Sequence, residues 1–105
     1  MDVLLQIKRL ALFGRVEFTE KALLELEIDG LQESEVVESL VNAQRIDKVI
    51  RSRSRWRRTP HEKLYVIKSL SYSGTFIYTK GTVVRLAEGD VFYILVSSKI
   101  ATIGD

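Results

Sequence analysis

The sequence predicts one α+β domain over residues 1–105, with N-terminal helices packed on one face of a C-terminal antiparallel sheet of three to four strands. Three observations predict it. Apolar residues recur at helical spacing up to about residue 43, and beyond it they alternate with period two. The later runs are separated by short turns at Ser73-Gly74 and Ala87-Glu88-Gly89-Asp90, as in an antiparallel meander. The chain has 105 residues, 46% hydrophobic and 29% charged, which suits one domain with one real core and not a disordered chain.

Val3, Leu4, Ile7, Leu10 and Ala11 make an amphipathic first helix over 3–13, stopped by Gly14. Residues 15–18 form a short extended link. Thr19 is suited to cap a second helix, Glu20 favours its N-terminus, and Ala22, Leu23, Leu26 and Ile28 form its inner stripe before Asp29-Gly30 ends it. A third helix begins near Gln32, with Glu33 and Glu35 in its first turn, and buries Val36, Val37, Leu40 and Val41. Ile46 to about Arg53 alternates as a strand that runs into a basic loop, where Pro60 argues against helix. Strands are then expected over 64–71, 75–86 and 91–99.

Alternation assigns faces. Leu64, Val66, Lys68 and Leu70 oppose Tyr65, Ile67 and Ser69, and Ile77, Thr79 and Val83 oppose Phe76, Tyr78 and Lys80. Phe92, Ile94 and Val96 oppose Tyr93, Leu95, Ser97 and Lys99, with Gly81 a candidate bulge that would upset parity beyond it. If the helices cover the more apolar face, Tyr78, Lys80, Tyr93 and Lys99 converge on the open one. The plainer alternative is an amphipathic sheet with ordinary solvated residues outside.

The net charge of +2 conceals a split: residues 1–44 carry −5 and residues 45–105 carry +7. Nine basic residues fall between Arg45 and Lys68, five of them the arginines at 51, 53, 55, 57 and 58. Arg forks bind phosphate oxygens in pairs of hydrogen bonds, and Trp56 within the run offers a ring for an unpaired base. Arg51, Arg53, Arg55, Trp56, Arg57, Arg58, Lys68 and Lys80 are the candidate RNA-binding residues. So dense a run favours polyanion binding over a merely solubilising loop, without distinguishing RNA from DNA or an acidic protein.

Other chemistry is sparse. His61, the only histidine, is either a proton carrier or an exposed loop residue. With no Cys and no second His, no metal site is expected, and no phosphate-cradling loop or nucleophile elbow is found. The lack of Cys suits a reducing cytosol, Met1–Arg9 lacks the pattern of a signal peptide, and no apolar run approaches the ~20 residues of a membrane span. A cytoplasmic protein without membrane contact is expected.

Several segments in order carry a family resemblance. They are Phe18-Thr19-Glu20-Lys21-Ala22-Leu23-Leu24, Gly30-Leu31, the Val36–Leu40 helix, Asp47-Lys48, Leu64-Tyr65, Gly74-Thr75-Phe76-Ile77-Tyr78-Thr79-Lys80 and Tyr93-Ile94-Leu95-Val96-Ser97-Ser98-Lys99. Together they resemble the MqsR (motility quorum-sensing regulator) toxin family, a branch of the RelE-like messenger-RNA interferases, and are similar to a broader group of small domains with the same helix–helix–sheet order. The arginine loop has no close counterpart in that pattern. The resemblance implies a RelE-like fold and a metal-independent endoribonuclease without cofactor, acting on mRNA and held by a cognate antitoxin protein. It implies catalytic roles for Lys48, Tyr78 and Lys99. The family's glutamine falls near Glu62 or Lys63, a departure; Glu62 and His61 are the candidates to accept the proton of the attacking 2′-hydroxyl. The alternative is a non-catalytic nucleic-acid-binding or regulatory protein that uses the Arg51–Arg58 loop.

Overall fold

The computed structural model describes residues 2–52 and 62–102. Three helices precede most of the sheet: α1 (Val3–Leu12), α2 (Glu20–Ile28) and α3 (Glu33–Val41). The strands are β1 (Val16–Phe18), β2 (Lys48–Arg51), β3 (Lys63–Leu70), β4 (Phe76–Arg85) and β5 (Val91–Ile100). The α+β fold, with the helices against a mainly C-terminal sheet, is the one the periodicities predict.

Local chemistry explains the helix ends. Asp2 caps α1 by accepting from the Leu4 amide at 2.8 Å, and Thr19 caps α2 by accepting from Ala22 at 3.2 Å. Glu35 reaches back to accept the Gln32 amide at 2.9 Å at the start of α3. Gly14 and Gly30, just past α1 and α2, take φ of 74° and 72°, where a side chain would be strained.

The sheet corrects the expected three to four antiparallel strands. It has five, in the order β1-β5-β4-β3-β2, and β1 lies parallel to β5. The segment expected as a link is thus a strand. Three residues are too few to show a period, and the partner lies some 77 positions away in sequence, Val16 against Tyr93. The other three pairings are antiparallel.

All three helices cover one face, α2 over β5 and α3 over β3 and β4, with α1 against α3. Ile7, Leu10, Ala22, Leu26, Val36 and Leu40 meet Ile67, Ile77, Tyr93 and Leu95 of the sheet in one core. Ile28 is not part of the expected inner stripe of α2: it is 83% exposed, sharing an outward face with Leu24 one turn earlier. Buried hydroxyls are paired, Thr79 donating to the Ile67 carbonyl and Ser98 to that of Ala22. Among the described residues no helix is long and apolar enough to cross a membrane.

Tyr93, expected on the open face with Lys99, is instead fully buried under the helices, and Leu95 with it. The cause is a bulge. Lys80 pairs with Ser97 while Gly81 pairs with Leu95, so Val96 is the extra residue on β5. Parity reverses there. Tyr93 pairs with Val83 on the helix side, whereas Lys99 pairs with Tyr78 on the other side.

Candidate functional site

The face of the sheet away from the helices carries two neighbouring transverse rows. Lys68 on β3 pairs with Tyr78 on β4, which pairs with Lys99 on β5. One step along, Lys48 on β2 pairs with Val66, which pairs with Lys80. Directly opposed residues of antiparallel strands share a face, so register alone gathers Lys48, Lys68, Tyr78, Lys80 and Lys99 on one surface. The Lys99 ammonium stands 5.2 Å from the centre of the Tyr78 ring, a cation–π distance. Among the described residues, none of the four lysines forms an ion pair. Val66, between Lys48 and Lys80, is only 2% exposed.

Beside these rows lies a groove of about 960 Å³. Its floor is sheet: Lys48, Val66, Lys68, Leu70, Phe76 and Tyr78. Its wall is the link from α3 to β2, with Asn42, Gln44, Arg45 and Asp47. Hydrogen bonds hold that wall. The Asn42 side-chain amide donates to the Leu70 carbonyl at 2.9 Å. The Asp47 amide donates to the Val66 carbonyl at 2.8 Å, and its carboxylate accepts from the Lys68 amide at 2.8 Å and from Arg45 Nε at 3.0 Å. Asp47 therefore joins the wall to β3 and aims Arg45 at once. The sequence singles it out only within the Asp47-Lys48 segment of the resemblance; the signal available was an acidic residue immediately before the strand that carries Lys48.

The structure does not bring every candidate together. Glu62 precedes β3 and its carbonyl accepts from the Ser52 amide at 2.8 Å. It lies six residues from Lys68 along the strand, roughly 20 Å at strand rise, so it does not meet the Tyr78 row. Arg51 ends β2, opposite Lys63. Arg53, Arg55, Trp56, Arg57, Arg58 and His61 lie outside the described residues.

The arrangement can do two things chemically. Four ammonium groups on one face neutralise the oxygens of a phosphate chain, and the aromatic side chains among them offer π faces to bases. Among the described residues the groove is lined by one carboxylate, Asp47, with both oxygens engaged, and no group of three His, Cys, Asp or Glu is arranged to hold a metal ion. In comparisons with family models, curated proteins and solved structures, this chain matches none.

Proposed function

We propose that this chain binds RNA across the open face of its sheet and cleaves it as a metal-independent endoribonuclease, the toxin of a toxin–antitoxin pair acting on mRNA in the cytoplasm. The observation that carries the reading is the Lys68–Tyr78–Lys99 row, two half-buried lysines flanking a half-buried phenol on the sheet face that the helices leave open. It agrees with the resemblance of the Gly74–Lys80 and Tyr93–Lys99 segments to the interferase pattern.

In the proposed reaction the 2′-hydroxyl oxygen attacks the adjacent phosphorus and the bond to the 5′-oxygen breaks. A 2′,3′-cyclic phosphate and a 5′-hydroxyl result. The 2′ proton leaves to a base and a proton reaches the departing 5′-oxygen, so no metal or redox partner enters the balance. Lys68 and Lys99 oppose the charge that grows on the phosphate oxygens, and Tyr78 offers its hydroxyl to the phosphate and its ring to a base. Lys48 and Lys80 hold the flanking backbone. The Arg51–Arg58 run adds affinity for the same polyanion. A cognate antitoxin is the proposed protein partner.

A second reading, binding without cleavage, is favoured by one observation: Asp47, the carboxylate in the groove, is already engaged, and Glu62 is remote. One experiment separates the two. Purified protein is incubated with single-stranded RNA at low salt in chelator, and the products are mapped. Cyclic-phosphate ends that disappear with Tyr78→Phe or Lys99→Ala support the nuclease. Intact RNA that remains bound supports the second reading, and RNA neither bound nor cut sinks both.

A further inference from the structure

Phe76 and Leu70 are anomalous on this face. They are 47% and 50% exposed, paired across β3 and β4, and they border the charged row directly. Large apolar side chains side by side on a solvated sheet face mark a place that something else covers. What covers them must also tolerate Lys68 and Lys99 next door, which argues against an apolar protein surface and for a ligand that alternates flat apolar groups with negative charge.

The spacing narrows this further. Phe76 and Tyr78 are two residues apart on one face of β4, which places their attachment points about 6.7 Å apart. That is about twice the roughly 3.4 Å rise between stacked bases of a duplex. Two such rings suit two splayed bases, one each. An extended single strand offers them and a base-paired helix does not. The groove wall brings the Asn42 side-chain amide to the Phe76 end, through its bond to the Leu70 carbonyl, where it can meet the edge of a base, and Gln44 lines the same groove.

We infer that the groove holds two successive unpaired nucleotides, one base stacked on Tyr78 and its neighbour on Phe76 and Leu70, with the intervening phosphate over Lys68. This rests on the RNA-binding reading above and adds to it a second base subsite and a requirement for single strands.

The test uses the full chain and short fluorescently labelled oligoribonucleotides, 2′-O-methylated so that they bind without being cut. Phe76→Ala should weaken single-strand binding by about 5- to 150-fold, the usual worth of one stacked base, whereas Phe76→Tyr should stay within about two-fold of wild type. Duplex of the same sequence should bind more weakly and ignore Phe76→Ala. An abasic site stepped along the strand should reach one position where Phe76→Ala costs nothing more, and the adjacent position should behave so for Tyr78→Ala. If Phe76→Ala binds like wild type while Lys68→Ala with Lys99→Ala binds poorly, the second subsite is wrong and RNA binding stands. If wild type binds no oligonucleotide at low salt, both fall.

Discussion

The ring of Tyr93 lies against the bare α-carbon of Gly81 on the neighbouring strand. A methyl group at Gly81 would sit 2.7 Å from Tyr93 Cζ and 2.8 Å from the Ile94 carbonyl oxygen. The tyrosine crosses β4 at this point, and its hydroxyl donates to the Tyr65 carbonyl on β3 at 3.4 Å. Three strands are thereby tied together beneath the helices, at the bulge that turns Lys99 to the outer face. Burial, with the nearby Tyr65 adding to it, pushes the Tyr93 phenol well above its ordinary range, so it stays a neutral donor.

Gly81→Ala should therefore cost about 1–3 kcal/mol, because the ring and the backbone carbonyl must both move. Chemical denaturation of the variant checks it. A loss below about 0.5 kcal/mol would mean that the strands adjust freely. Tyr93→Ala should cost more, about 3–5 kcal/mol, by emptying the centre of the core.

How much of this was legible follows from these residues. The helices were, because Ile7, Leu10, Val36 and Leu40 repeat at the spacing a helix imposes and Thr19 is a good cap. Strands β3 and β4 were too, and with them the shared face of Tyr78 and Lys80; that Lys68 joins them follows from the register of β3 on β4. The face of β5 was not. Residues 91–96 are apolar without a break, so either parity set could have been the inner one. The deciding facts are Val96, a bulge residue with no turn chemistry of its own, and Gly81, whose missing side chain makes room for the Tyr93 ring. Groove and wall depend on Asp47 bonding to Lys68, a contact between residues 21 apart that no local pattern announces.

The bulge is also held by Glu25 of α2. Its carboxylate accepts from the Ser97 hydroxyl at 2.7 Å, from the Ser98 amide at 3.1 Å and from Lys21 at 3.3 Å. Burial alone would raise the Glu25 carboxyl, but these hydrogen bonds and the lysine charge outweigh it and hold the carboxyl below its usual value of 4.5. A carboxyl lowered in the folded state contributes stability above its unfolded value and loses it as pH falls through the folded one. Unfolding measured from pH 7 to pH 3 should show Glu25→Ala about 1–3 kcal/mol less stable near neutrality, with the gap closing below about pH 4.5. A gap that is constant with pH would assign the loss to packing alone.

Asp47 is a positioning residue in this scheme. Asp47→Ala removes acceptors from the Lys68 amide and Arg45 and should cost about 1–3 kcal/mol in stability. It should also loosen the wall that carries Asn42 and Gln44. Binding of single-stranded RNA should then weaken mainly through faster dissociation, with its salt dependence little changed. A variant with lower stability but an unaltered dissociation rate would show that the wall does not touch the ligand.

The lysines should behave in the opposite way. Each ammonium that contacts a phosphate of a single strand displaces condensed counterions, and the slope of log affinity against log salt records their number, about 0.7 per contact. Lys68→Ala with Lys99→Ala should lower that slope by about 1.4 and weaken binding at low salt, whatever the base sequence. Phe76→Ala should lower affinity and leave the slope as it was, since a ring releases no ions. Charge from Lys48, Lys80 and the Arg51–Arg58 run remains in both variants, so residual binding is expected. The slopes, more than the affinities, therefore show which side chains meet phosphate. If the double lysine variant keeps the wild-type slope, the RNA backbone does not cross the Lys68–Tyr78–Lys99 row, and the basic Arg51–Arg58 run is where its phosphates are held.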